Sequence, residues 1–269
     1  IHSATMVKAG VFLFFRLTPI LGGTPLWQHT LIALGAVTMV LGALFGCFRH
    51  DMKQVLAYTT ISALGAITMT IGLGSPEALT AAFAFLCAHA FYKASLFLVT
   101  GSVDHSAGTR DLRLLGGLLR PMPVTAAAAL LGVASLAGLL PTLSFVAKEL
   151  IIDAALHASR LGHVLAMGVG LTGAAFVALA IKLFARPFLG GLKHVPGAPV
   201  REAPVSMLIG PVLMTLLGLV LGMASGFAGT TFMAPAVRDM LGGQAQTAHL
   251  GVWHGMTPAF AISLAAYVV

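Results

Sequence analysis

Apolar runs of membrane-spanning length, separated by short polar connections, repeat along the whole chain. A bilayer core takes about 20 apolar residues per helix. Cutting the sequence at its charges and its Gly/Pro clusters gives eight such segments, roughly 1–21, 28–46, 55–74, 78–103, 122–153, 163–185, 204–226 and 252–269. The pattern predicts an all-α integral membrane protein, a multi-span helix bundle. The fifth segment is too long for one straight crossing and carries Gly138 and Pro141 ahead of Lys148-Glu149. It is expected to be a discontinuous helix, broken where the freed backbone is buried or lines a wet cavity; a plain proline kink is the alternative. The stretch 227–250, with Arg238, Asp239, Gln244 and Gln246, reads as an extracytoplasmic loop with room for a short surface helix.

Eight spans alternate the loops between two sides, and the basic residues sort accordingly. One set of loops holds Arg49, Lys53, Arg110, Arg113, Arg120, Arg186, Lys193 and Arg201; the other holds Arg16, Arg160 and Arg238. By the positive-inside rule the first set, at 47–54, 104–121 and 186–203, is cytoplasmic. Composition agrees: 58% of residues are hydrophobic and 9% charged, against roughly 25% charged in a soluble domain. The net charge of +7 forms no basic stripe, so it is a topology signal and no nucleic-acid partner is expected; the lipid bilayer is. Cys47 and Cys87 lie in or beside apolar runs and read as packing residues. The chain opens at Ile1-His2-Ser3 already inside an apolar run, without the basic start of a signal peptide, as the middle of a longer protein would.

Between Glu77 and Asp104 the only formally charged side chain is Lys93. It stands roughly 15 Å from either end of its span, beyond the reach of a snorkelling side chain. An ammonium there costs on the order of 3 kcal/mol or more and must find a partner, meet water or give up its proton. Such a lysine suits proton transfer, with a structural ion pair as the alternative. His89, four residues earlier, shares its face, and Tyr92 is beside it; an imidazole and an amine at this spacing can pass a proton through a water. A packing histidine is the bland reading. Lys148 follows the expected break and either relays protons or caps the first half-helix. Glu149, next to it, points elsewhere on the helix and places a carboxylate toward the outer exit. Lys8 and His2 lie six residues apart on the first span, each needing its own partner. Lys182 sits at the cytoplasmic end beside Arg186, where snorkelling accounts for it, and His254 reads as an interface anchor next to Trp253. There is no nucleotide loop, cysteine ladder or nucleophile set; neither enzymatic chemistry nor a metal nor a cofactor is expected in this chain.

Four strings occur in order: His2-Ser-Ala-Thr-Met-Val-Lys-Ala-Gly10, Asp51-Met-Lys-Gln-Val-Leu-Ala-Tyr-Thr59, His89-Ala-Phe-Tyr-Lys-Ala-Ser-Leu-Phe97 and Ala147-Lys-Glu149. Together they resemble the antiporter-like subunits shared by respiratory complex I, membrane-bound hydrogenases and Mrp-type cation/proton antiporters. Val103-Asp-His-Ser-Ala-Gly-Thr-Arg-Asp-Leu-Arg113, Leu115-Gly-Gly117 and Trp253-His254-Gly255 are most similar to the large A subunit of the Mrp type.

The resemblance implies an antiporter-like subunit fold of two inverted five-helix bundles. Residues 1–203 correspond to the second bundle and 204–269 to the start of a C-terminal transmembrane extension. It further implies a multi-pass protein of the bacterial cell membrane, working with other subunits of an antiporter complex that exchanges Na⁺ for protons. A proton-pumping subunit of an NADH:quinone oxidoreductase or hydrogenase is the rival. Under the resemblance Lys93 matches the central lysine, His89 the histidine before it and Lys148 the lysine of the broken helix. His2 matches the histidine linking the bundles, and Lys8 a lysine present in some subunits. Many relatives carry a further histidine where this chain has Phe85, and the Glu and Lys of the first bundle are expected upstream of Ile1.

Overall fold

A computed structural model describes residues 5–158, 161–193, 200–240 and 257–268. Among the described residues eleven α-helices follow one another: α1 (Lys8–Leu21), α2 (Pro25–Cys47), α3 (Met52–Gly72), α4 (Pro76–Ala107), α5 (Pro123–Ala137), α6 (Leu143–His157), α7 (Gly162–Phe188), α8 (Val205–Met223), the short α9 (Ser225–Ala228), α10 (Ala234–Met240) and α11 (Pro258–Val268). A π-helical turn, Gly229–Met233, joins α9 to α10. No strand occurs among the described residues. Five helices, α2, α3, α4, α7 and α8, are each long and apolar enough to cross a membrane. With α1, the α5–α6 pair and α11, each of the eight expected segments holds a helix among the described residues.

Local chemistry sets the helix ends. Pro25, Pro76 and Pro123 each stand in a first helical turn, where a missing N–H costs nothing. Asp51 and Ser75 cap α3 and α4 by accepting from the backbone N–H of Gln54 and Ala78. α4, with 32 residues, is about 48 Å long at 1.5 Å per residue. It therefore outruns the hydrocarbon layer and delivers Asp104 to one end of the bundle.

α2 and α3 pack almost backbone to backbone. A methyl group added at Gly35 would lie 2.3 Å from the Met69 nitrogen, and one at Gly65 would lie 2.5 Å from the Met39 nitrogen. Small residues at these positions let the two helices approach as membrane helices do, where packing replaces the hydrophobic drive. The Ser62 hydroxyl adds a hydrogen bond to the Met39 carbonyl at 2.6 Å. α4 is central, flanked by α3, α5, α6 and α8.

The three loops expected on one side do meet at one end. Residues 51 and 111 pair as a short antiparallel bridge, with Leu112 N–H donating to the His50 carbonyl at 2.8 Å. Arg110 binds Asp51 at 2.5 Å, and Lys53 binds Asp104 at 3.2 Å. Lys193 donates to the Arg113 carbonyl, and Lys182 to the carbonyls of Cys47 and Arg49. Lys182 thus finishes α2 from the basic end of the bundle, as a lysine near the interface should. Hydrogen bonds from the Arg113 side chain and backbone hold the Asp111 carboxyl down at about 2.

The short helix for which the sequence left room in the stretch 227–250 is present, as the π-turn and α10. Met233, Val237 and Met240, spaced four and three apart, bury one face of it and leave Arg238 and Asp239 outside. Residues 241–256, with His254, lie outside the described residues.

Candidate functional site

The break in the fifth segment is real, and the sequence placed it correctly. α5 ends at Ala137; Gly138 takes the left-handed conformation at φ 71° that glycine adopts without penalty. The chain restarts at α6 after Thr142, whose side chain caps the new helix on Phe145. The Ser135 and Ser144 hydroxyls face each other across the break at 3.0 Å. The N–H groups of Gly138 and Leu139 turn back onto the Ser135 and Ala134 carbonyls at 3.1 and 2.9 Å and close the end of α5.

Lys93 is completely buried on α4. Its Nζ donates to the Leu56 carbonyl at 2.7 Å and to the Thr59 hydroxyl, both on α3. These acceptors are neutral, and no ion pair to Lys93 occurs among the described residues. The structural ion pair weighed for this residue is therefore not what holds it. His89, one turn earlier, is equally buried, and neither ring nitrogen has a hydrogen-bond partner among the described residues. Its ring meets that of Tyr92 edge-on, with centroids 5.4 Å apart. The Tyr92 hydroxyl is likewise buried without a partner among the described residues. Buried polar atoms are nearly always satisfied, and ordered water is the usual partner where protein supplies none.

Lys8 joins this cluster. It is buried on α1, within electrostatic reach of both His89 and Lys93, and the edge-on Phe15–Phe83 contact ties α1 to α4. The sequence left Lys8 at the margin; the fold brings it to the central lysine. His2 lies outside the described residues.

Lys148 stands apart, on α6 just beyond the break. Its Nζ donates to the Tyr267 hydroxyl at 3.1 Å and lies 4.6 Å from the centre of the Tyr267 ring. Tyr267 in turn donates to the Gly138 carbonyl. The half-helix end is therefore capped by a tyrosine from α11, with Lys148 behind it, and not by the lysine directly. Glu149 is buried too but sits about 100° further round the helix.

A cavity of about 40 Å³ lies beside Lys148, between α3 and the break. Ser62, Ala63 and Ala66 of α3, Phe85 of α4, and Gly138, Ser144 and Lys148 are among the residues that line it. At roughly 10–15 Å³ per water it has room for two or three. Phe85 forms part of this wall. The sequence offered no signal for Thr59 or Tyr267, since a threonine in an apolar helix and a tyrosine near a span end are both ordinary.

Comparison with known proteins gives a consistent picture. The family model described as NADH:quinone oxidoreductase/Mrp antiporter, TM, matches residues 1–176. The A subunit of the Na⁺/H⁺ antiporter of Alkalihalophilus pseudofirmus is 36% identical over 283 residues, covering 95% of this chain and 35% of the relative. Among solved structures, the Mrp complex from Dietzia sp. DQ12-45-1b superposes with a TM-score of 0.87 at 38% identity, covering 99% of this chain and 29% of that one. Respiratory complex I from Thermus thermophilus superposes at 0.77 with 26% identity, covering 89% and 50%. The chain thus spans about a third of the length of the curated relative.

Proposed function

Because the chain belongs to the NADH:quinone oxidoreductase/Mrp antiporter transmembrane family, we propose that it is the second proton-conducting bundle and early C-terminal extension of the large A subunit of a multisubunit Na⁺/H⁺ antiporter. Residues 1–203 form the bundle in this reading and 204–269 begin the extension. Protons pass through His89, Lys93 and Lys148, with Lys8 tuning the central pair, Glu149 beyond Lys148 toward the outer exit, and His2 facing the first bundle.

The observation that carries this is the way Lys93 is held. A carboxylate partner would fix the lysine as an ammonium; a carbonyl and a hydroxyl hold either the charged or the neutral amine. Lys93 is thereby able to gain and lose a proton in place. The cavity between α3 and Lys148 supports the next step, since two or three waters there can connect the α3 side to Lys148 past Phe85. Electrostatic coupling supplies the drive: an ammonium at Lys8, within electrostatic reach of Lys93, disfavours a second charge there, so that the arrival of one proton favours the release of another.

The rival, a proton-pumping subunit of a redox complex, draws on the likeness to complex I. The lower identity of that match, 26% against 38%, and the 103–117 loop favour the antiporter. The test is an everted vesicle carrying the complete complex with an imposed pH gradient. Addition of Na⁺ dissipates the gradient if the reading is right; a gradient that ignores Na⁺ but builds on addition of NADH or another electron donor overturns it.

A further inference from the structure

We propose that Tyr267, on α11, is the positioning residue for Lys148, so that the C-terminal extension is a working part of the proton path. Three contacts converge on this one side chain. Its hydroxyl donates to the carbonyl of Gly138, the left-handed residue that follows α5 in the break. The same oxygen accepts from Lys148 Nζ at 3.1 Å. The ring face lies 4.6 Å from that nitrogen, within the range in which an aromatic face attracts a cation.

The three contacts do different things. The bond to Gly138 fixes the phenol against the helix end, with its proton committed to the carbonyl and its lone pairs turned toward the lysine. The accepting oxygen and the ring face then both favour the loaded, charged lysine and aim it at the break. The cavity that Lys148 lines is otherwise walled by aliphatic, aromatic and glycine residues, with Ser62, Ser144 and Thr172 its polar members. Tyr267 is 119 residues from Lys148 in sequence, and it lies beyond residues 1–176, where the family model matches. α11 is held in the groove that makes this possible. Phe260 packs edge-on against Phe145 of α6, while Gly170 and Gly173 of α7 leave room for Ile262 and Ala266. A helix from the extension is in this way seated against the broken helix and reaches the lysine through the hydroxyl and ring of Tyr267.

The inference rests on the antiport reading for its rate test but not for its structural one. In everted vesicles carrying the complete complex, Tyr267→Phe keeps the ring and removes the hydroxyl. The maximal rate of Na⁺-driven dissipation is expected to fall about tenfold, as for a lost hydrogen bond to a charged group, with an unchanged apparent KM for Na⁺ and an unchanged amount of complex in the membrane. A full rate in Tyr267→Phe overturns the proposal, as does a raised KM at normal maximal rate or a loss that merely follows the amount of complex. Melting of the purified complex carrying Lys148→Met, Tyr267→Phe and both changes gives the independent check. Effects that are non-additive support the contact; additive ones refute it whether or not the vesicles exchange Na⁺.

Discussion

Replacing Thr59 by valine exchanges a hydroxyl for a methyl of nearly the same size and leaves Lys93 with the Leu56 carbonyl as its one remaining partner from α3. The Thr59 hydroxyl also donates to the Val55 and Leu56 carbonyls of its own helix, and the Val55 carbonyl keeps its backbone donor within α3, so the helix itself is not expected to unwind. The loss falls on the lysine. Hydrogen bonds to charged groups contribute about 1.5–3 kcal/mol net, and Lys93 is 0% exposed, so bulk water does not replace the lost acceptor. At 1.36 kcal/mol per factor of ten, the loaded lysine is disfavoured by roughly ten- to a hundredfold. The assay is Na⁺-driven dissipation of an imposed pH gradient in everted vesicles with matched amounts of complex. Thr59→Val is expected to run at about a tenth of the unmutated rate or below, while Thr59→Ser, which restores the hydroxyl, runs near normal. A Thr59→Val rate within about twofold of the unmutated one would refute the idea that this hydroxyl sets the state of Lys93.

Other features give sharper structural tests. Gly35→Leu forces a side chain into the Met69 backbone and should destabilise the α2–α3 pair by at least the 1–3 kcal/mol typical of overpacking, seen as a lower melting temperature in detergent. Lys182→Met removes the donor to the Cys47 and Arg49 carbonyls; it should cost on the order of 1 kcal/mol of stability, read by melting, with the exchange rate per complex unchanged. Asp111 is held at about 2 by Arg113, below the 3.8 of a free carboxyl. Its contribution is therefore fully present above about 3.8 and disappears as pH falls through about 2. The melting difference between the unmutated complex and Asp111→Asn should follow that course and not vary from pH 5 to 8.

The parts of this fold written as run length were readable in the sequence. Eight apolar segments became helices at the expected places, because in a bilayer every backbone polar group must be satisfied within its own segment. The break was readable because Gly138 and Pro141 interrupt a run too long for one crossing, and Lys93 because it is the one charge between Glu77 and Asp104. Partnerships were not readable in the same way. Thr59 looks like any threonine bonding back to its own helix, and its second role depends on how α3 and α4 pack. Lys8 reads as isolated because its neighbours, His89 and Lys93, come from a helix that sequence spacing does not bring near it. Tyr267 carries no local mark at all. The helical stretch 229–240 was legible only as room for a short helix, because Arg238 and Asp239 read as loop, whereas the spacing of Met233, Val237 and Met240 sets its buried face.

The central claim is that protons cross this bundle through Lys93. The most direct measurement places Lys93→Ala in the complete complex, in everted vesicles with an imposed pH gradient, and follows the gradient after Na⁺ is added. With the complex present in normal amount, the account predicts that the gradient survives Na⁺. Dissipation at the unmutated rate would contradict it.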